Sequence, residues 1–151
     1  MPALISDARI DASTAHRTVP GWTFGLPELA ASQRAAIRAT KRIANPGCHA
    51  SAFILLMRPL VDAGLVPAAL PVSATSLTGY SGGGKKMIED YEAKGPAASE
   101  FSPYALSFNH KHLPEMKLYS GSAQDVLFQP VVGDFAQGML TSVPMHMSHL
   151  K

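Results

Sequence analysis

The only cysteine of the chain, Cys48, is the first candidate for chemistry. It follows a tight turn, residues 45–47, and begins an apolar stretch that has the spacing of a helix. Backbone N–H groups and the helix dipole stabilise an anion at a helix N-terminus, which favours the reactive thiolate over the thiol. The alternative is a small hydrophobic residue buried at a helix start, because buried cysteines are common. We predict that Cys48 is a nucleophile.

A nucleophilic thiol needs a partner that manages protons, and the sequence offers two neighbouring histidines, His110 and His112. A histidine near its ordinary pKa can stabilise the thiolate and then deliver or remove a proton. Glu115 could orient one of the rings by accepting its N–H. One alternative is an exposed loop, and another is a zinc site, because His-x-His can present two nitrogens to a metal. A third metal ligand would have to come from His146, His149 or Glu115, at no recognised spacing, so we predict no metal.

A glycine-rich segment, residues 79–84, joins a predicted strand to a predicted helix. It lacks one requirement of the phosphate-binding loop of nucleoside triphosphatases, because Lys86 stands where the loop has a Ser or Thr whose hydroxyl coordinates magnesium. The bare backbone around Ser81, Gly82 and Gly83 could still approach a flat or anionic ligand. A flexible strand-to-helix turn is the alternative. The segment therefore predicts at most a wall of a cofactor or phosphate site.

Polar residues follow a predicted strand near the start of the chain, where α/β sheets bind ligands. Ser13 supplies a hydroxyl, and Arg17 supplies a guanidinium suited to holding a phosphate or carboxylate. The alternative is an ordinary helix cap followed by a solvated arginine. Spacing alone leaves these two possibilities open.

The elements that must position these residues alternate between helices and strands. The predicted helices cover residues 28–41, 48–63 and 85–94. The predicted strands cover residues 8–12, 42–44, 72–78, 126–128, 130–132 and 139–147. Pro144 limits the last strand to a sheet edge or bulge.

Composition excludes several classes of protein. The chain has 151 residues, 46% of them hydrophobic, and a net charge of +2 without basic clusters, which argues against nucleic-acid binding. A single cysteine excludes an internal disulfide framework and zinc sites built on paired cysteines. The longest apolar run, residues 52–57, is far shorter than the roughly 20 residues of a membrane span. No secretory signal is recognisable at the start, so we expect a soluble, cytoplasmic protein.

The candidate segments form a recognisable set when they are taken together. They are residues 11–17, 24–29, 44–48, 79–84, 110–115 and 135–138. In this order they closely resemble the shorter bacterial type of N-acetyl-gamma-glutamyl-phosphate reductase, a family related to aspartate-semialdehyde and glyceraldehyde-3-phosphate dehydrogenases. The resemblance spans nearly all of the chain.

The resemblance implies a covalent mechanism in arginine biosynthesis. Cys48 would attack an acyl phosphate, N-acetyl-gamma-glutamyl phosphate, to form a thioester and expel phosphate, and NADPH would then deliver a hydride to give the aldehyde. His110 or His112 would be the acid and base, and we favour His112. Two sets of binding residues follow from the same resemblance. The substrate would contact Ser13, Arg17 and Glu115. The nicotinamide or phosphate would lie against Ser81, Gly82 and Gly83.

The resemblance also implies a fold that combines α/β and α+β parts. Residues 1–47 would be the end of a Rossmann-like dinucleotide-binding domain. Residues 48–151 would form an incomplete catalytic and dimerisation domain like that of glyceraldehyde-3-phosphate dehydrogenase, with a mixed sheet and helices on one face. The intact enzyme would be a homo-oligomer.

Two departures from the family qualify these expectations. Residues 49–51 are His-Ala-Ser where the family usually has Tyr-Pro-Thr, which changes the packing beside the thiol. The first glycine is Gly21, so the glycine-rich fingerprint that seats the cofactor pyrophosphate is expected to be missing. The alternative function is an inactive catalytic-domain fragment that serves at most as an oligomerisation module.

Overall fold

The computed structural model describes residues 17–98 and 100–151, and the predictions for Ser13 and for a strand at 8–12 lie outside these residues. The described strands are β1 (Thr23–Phe24), β2 (Ile43–Ala44), β3 (Ser73–Gly79), β4 (Phe101–Pro103), β5 (Leu127–Gly133) and β6 (Met139–Ser142). The described helices are α1 (Gln33–Ala39), α2 (Cys48–Asp62), α3 (Lys85–Lys94) and α4 (Leu113–Ser120). None of these helices is both long and apolar enough to cross a membrane.

Four strands form a mixed sheet in the order β4-β5-β3-β6. β3 and β5 run parallel, from Ser73 beside Leu127 to Gly79 beside Gly133. β6 and β4 pair antiparallel with β3 and β5, so they form the two edges. The predicted mixed sheet with helices on one face is confirmed, as is the edge position of the last strand.

Helix α2 supplies the core of the helical face of the sheet. Its apolar side chains recur every three to four residues, the spacing that places them on one side of a helix. Phe53, Ile54 and Met57 are fully buried in one cluster with Ala74 of β3 and Phe128 of β5. This packing fixes the helix against the sheet and so fixes the position of Cys48, its first residue.

The chain before Cys48 packs into the same core. β1 and β2 form a small parallel pair. Phe24 stacks on Tyr119 of α4 with ring centroids 3.9 Å apart. Phe24 and Leu26 are both buried among the core residues of α2. These contacts bring the start of the described chain next to α4.

Several elements differ from the sequence predictions. Strands β1 and β4 were not predicted, and the two strands expected over 126–128 and 130–132 form the single strand β5. The helix expected over 28–41 is confined to Gln33–Ala39, because it buries no residue and has no side-chain cap to extend it. The strand expected over 139–147 ends at Ser142. Helix α4 was not predicted, although two residues mark its ends in the sequence. Pro114 lies in its first turn, and Gly121, in the left-handed conformation, follows its last residue.

Candidate active site

The start of α2 presents the thiol to solvent. Cys48 is exposed, whereas the alternative interpretation expected a buried structural residue. Gly47 caps the helix, and its carbonyl accepts from the Ser51 N–H at 2.8 Å and the Ser51 hydroxyl at 3.0 Å. The N–H groups of residues 48–50 precede this first helical bond and therefore have no acceptor within the helix. The thiol thus stands beside three N–H groups suited to an anion.

A cavity of about 400 Å³, here called the thiol cavity, opens beside Cys48. It brings together six of the predicted site residues from distant parts of the chain. They are Arg17, Cys48, Gly82, Gly83, His110 and His112. The predicted residues Ser81 and Glu115 are not part of its lining, and the Ser81 N–H donates to the Ala136 carbonyl at 3.2 Å.

Glu115 lies behind the thiol cavity. Its side chain is only 1% exposed, and its two described hydrogen bonds go to other parts of the protein. One oxygen accepts from Arg17 Nη1 at 2.6 Å, and the other accepts from the Gly47 N–H at 3.0 Å. These bonds tie the turn before Cys48 to Arg17. They give Glu115 a structural role that the sequence did not suggest.

Arg17 is held at the cavity from two sides. Its guanidinium is anchored by Glu115, and its carbonyl accepts from the Tyr119 hydroxyl at 2.7 Å. Its Nε is buried without a hydrogen-bond partner among the described residues. A guanidinium held in this way can bind a phosphate or a carboxylate with its remaining donors.

His110 and His112 are buried at the cavity, unlike the exposed loop that the sequence also allowed. Their rings contact edge to face with centroids 4.7 Å apart, and the backbone N–H of His112 donates to His110 Nδ1 at 3.2 Å. The pKa of His112 is lowered to about 3, mainly by burial and to a smaller extent by the charges of its neighbours His110, His49, Arg17 and Lys111. Burial also lowers the pKa of His110.

Both histidines are therefore neutral near pH 7, whereas the sequence led us to expect a histidine near its ordinary pKa. A neutral imidazole has one donor and one acceptor nitrogen, so it can hydrogen bond to a reacting oxygen but adds no positive charge beside the thiolate. The N–H groups of α2 remain available to stabilise the thiolate. Nδ1 of His112 is buried without a hydrogen-bond partner in the described part of the chain.

The His112 ring lies directly against the turn that carries the thiol. A Cβ on Gly47 would overlap the Nε2, Cδ2 and Cε1 atoms of this ring. Gly47 itself has φ −69° and ψ 144°, a conformation open to any residue. Glycine is required here because the imidazole occupies the space of a side chain.

The glycine-rich segment after β3 packs closely on two neighbours. A Cβ on Gly79 would overlap the carbonyl oxygens of Phe135 and Ala136, which explains why the motif at 135–138 accompanies it. A Cβ on Gly83 would overlap the Met87 side chain. The absent side chains therefore permit these close contacts. Gly82 and Gly83 line the thiol cavity, and their part in a cofactor wall stays a prediction.

The lysines that follow this segment are occupied elsewhere. Lys86 pairs with Asp90 at 2.9 Å, one helical turn further along α3, and both side chains are exposed. Such pairs are ordinary on a solvated helix face. This arrangement gives no support to a phosphate-binding loop.

No group of three His, Cys, Asp or Glu side chains among residues 17–98 and 100–151 is placed to hold a metal ion. His146 and His149, considered above as metal ligands, lie beside each other with ring centroids 6.0 Å apart. Both belong to the exposed C-terminal part of the chain rather than to the thiol cavity.

His49 and Tyr104 are among the cavity residues that were not predicted as site residues. His49 is buried next to Cys48, and Tyr104 lines the cavity from the loop after β4. The adjacency of His49 to the only cysteine was a usable signal. Nothing local marked Tyr104, because its approach to the cavity depends on the pairing of β4 with β5.

Comparison with known proteins gives one family and a consistent set of relatives. Residues 48–151 match the family model described as semialdehyde dehydrogenase, dimerisation domain. The relatives include proteins named N-acetyl-gamma-glutamyl-phosphate reductase from Chelativorans sp. (strain BNC1), 58% identical over 141 residues, and from Mesorhizobium japonicum, 52% identical over 141 residues. A protein of the same name from Brucella ovis is 45% identical over 146 residues.

These matches confirm the resemblance inferred from the motifs. They cover 93%, 93% and 94% of this chain but only 46%, 46% and 47% of the three relatives. The chain therefore spans about half the length of the curated relatives it matches.

Proposed function

Because the chain belongs to the semialdehyde dehydrogenase dimerisation-domain family, we propose that it carries the thiol chemistry of an N-acetyl-gamma-glutamyl-phosphate reductase of arginine biosynthesis. The complete reaction converts N-acetyl-gamma-glutamyl phosphate to the semialdehyde and phosphate. The observation that carries the proposal is the thiol cavity, where exposed Cys48 at a helix N-terminus meets Arg17, His110 and His112.

The proposed first step is acyl transfer to Cys48. The thiolate attacks the acyl carbon, a carbon–sulfur bond forms, and the bond between that carbon and the phosphate oxygen breaks. The N–H groups of residues 48–50 can donate to the developing oxyanion, and Arg17 can hold the departing phosphate. Neutral His112 supplies a further hydrogen bond without a charge. Covalent capture divides one difficult reduction into two easier steps.

We propose NADPH as the cofactor, which when bound supplies the hydride that reduces the thioester. The lining of the thiol cavity supports this proposal, because it includes Gly82, Gly83 and Thr78 together with Cys48. The residues that the structure describes contain no glycine-rich dinucleotide fingerprint. The residues that line the thiol cavity would hold the thioester carbonyl and exclude water from it.

We also propose that residues 48–151 form the catalytic and dimerisation unit and that residues 1–47 end a dinucleotide-binding domain. The match of the family model from residue 48 onward supports this boundary. A homo-oligomer would use the sheet face that the helices leave uncovered. Leu140, Leu77 and Val131 lie side by side across that face, and Leu140 is 68% exposed.

The acyl-transfer step is testable with this chain alone, because it needs no hydride donor. We expect N-acetyl-gamma-glutamyl phosphate to release a burst of phosphate stoichiometric with the protein and to leave an acyl group on Cys48. Phosphate release and intact-mass spectrometry measure the two products. Cys48→Ala is the matched control and should give neither.

Absence of the burst in a folded chain whose Cys48 still reacts with iodoacetamide would overturn the proposal. That result would favour the alternative of a module that serves in oligomerisation without catalysis. A burst that persists in Cys48→Ala would show that another residue accepts the acyl group.

The uncovered sheet face gives a separate prediction. Leu140→Arg should shift the chain from dimer to monomer in sedimentation-velocity experiments, because a charge would be buried in an apolar interface. Leu118→Arg on α4, where the leucine is 54% exposed on the helical side, is the matched control and should leave the dimer intact. Equal behaviour of the two variants would refute the proposed interface.

A further inference from the structure

His49 connects the start of α2 to the sheet and to the wall of the thiol cavity. Its ring is buried, and both of its nitrogens are hydrogen bonded. Nδ1 lies 2.8 Å from the Ser76 hydroxyl on β3, and Nε2 lies 2.8 Å from the Tyr104 hydroxyl. The Ser76 hydroxyl in turn lies 2.9 Å from that of Thr141 on β6. Four side chains thus form one continuous chain of hydrogen bonds that ends at the cavity.

Only two arrangements of protons are consistent with this geometry. Burial lowers the pKa of His49 to about 4, with smaller effects from the charges of His110 and Lys111, so the ring is neutral and one nitrogen carries the proton. With the proton on Nδ1, the ring donates to Ser76 and accepts from Tyr104. With the proton on Nε2, the ring accepts from Ser76 and donates to the Tyr104 oxygen.

These arrangements present opposite groups to the cavity. In the first, Tyr104 donates its proton to His49, and only lone pairs of its oxygen are left for a group in the cavity. In the second, the Tyr104 proton is free to point into the cavity. Burial, and to a smaller extent the charge of Cys48, raise the pKa of Tyr104 to about 12, so the hydroxyl keeps its proton. A donor is favoured beside an anion, whereas lone pairs are repelled by it.

We propose that Thr141, Ser76, His49 and Tyr104 all donate in the direction of the thiol cavity, so that the Tyr104 hydroxyl donates to an anion there and His49 is the positioning residue that sets this direction. A chain of donors with one direction also strengthens each of its bonds by polarisation. The proposal deepens the proposed function, because the anion is the Cys48 thiolate or the oxyanion derived from its acyl adduct.

The tautomer of His49 is the direct test. We expect long-range proton–nitrogen correlation spectra of the labelled chain at pH 7 to show His49 protonated on Nε2. Exposed His146, outside the cavity, serves as the reference ring in the same spectra. Protonation of His49 on Nδ1 would overturn the proposal, whatever the chain does with acyl phosphates.

The alkylation rate of Cys48 is the second test. The charged and titratable groups that face the thiol and His49 are Arg17, Tyr104, His110, Lys111 and His112. Tyr104→Phe should slow iodoacetamide alkylation at pH 7 by about tenfold to hundredfold, the range expected for one lost hydrogen bond to a charged group. It should also move the pH of half-maximal rate upward. His49→Phe should do the same, and the double variant no more than either single one.

These outcomes separate positioning from a merely structural role. Loosening of the helix start would raise the alkylation rate without moving its pH midpoint, and that result would overturn the proposal. Additive effects of the two substitutions would do so as well, because His49 would then not act through Tyr104. If His49→Phe fails to fold, the alkylation rate of Tyr104→Phe and the tautomer of His49 still test the proposal. His146→Phe should leave the whole profile unchanged.

Discussion

Glu115→Gln is expected to lower the free energy of unfolding by about 3 kcal/mol, the lower end of the range for breaking a buried ion pair. The substitution keeps the shape of the side chain but removes its charge. It also turns one oxygen into an NH₂ donor that must face either the Arg17 guanidinium or the Gly47 N–H, which are both donors. Arg17, with a side chain 13% exposed, is then left nearly buried without its counter-charge. Urea denaturation followed by circular dichroism measures the change.

An exposed ion pair of similar length provides the control. Lys117 and Asp125 are 2.8 Å apart, but their side chains are 45% and 87% exposed. Asp125→Asn should therefore cost less than about 1 kcal/mol. Adding Arg17→Met to Glu115→Gln should recover part of the loss, because the uncompensated guanidinium is removed. Equal costs for the Glu115 and Asp125 substitutions would show that the buried pair does not hold the turn before Cys48.

The sequence predicted the elements whose signals are local. Helix α2 has apolar residues at helical spacing and ends close to the predicted Gly64, and α3 occupies its predicted range. Helix α4 was missed because its buried face includes the polar Glu115 and Ser120, so no apolar stripe marks it. Its burial depends on partners elsewhere in the chain, among them Arg17, which is 98 residues away from Glu115.

The same distinction holds for the candidate site. Residue type and position were enough to select Cys48, His110 and His112 as candidates, because a thiol at a helix start and two imidazoles are the groups that thiol catalysis requires. Their surroundings could not be predicted, since burial of the imidazoles follows from packing against His49 and Phe128. That burial makes the histidines neutral and changes the chemistry expected of them.

Gly47→Ala is expected to destabilise the chain by about 1 to 3 kcal/mol, the usual cost of inserting a methyl group into a filled space. The backbone of Gly47 already suits alanine, so the cost must come from the His112 ring that occupies the position of Cβ. The ring has to leave the turn, or the first residues of α2 have to move. Either change separates His112 from the thiol. We therefore also expect the acylation of Cys48 to slow.

The cause can be isolated by removing the ring. In the His112→Ala background the space beside Gly47 is vacant, so adding Gly47→Ala should cost less than about 0.5 kcal/mol. The difference between the two backgrounds in urea denaturation measures the collision itself. If Gly47→Ala lowered the free energy of unfolding equally in both backgrounds, glycine would be needed for the turn itself and not to make room for the imidazole. Under the proposed collision, the thiol turn and His112 form one packed unit, so the position of the nucleophile depends on a ring 64 residues further along the chain.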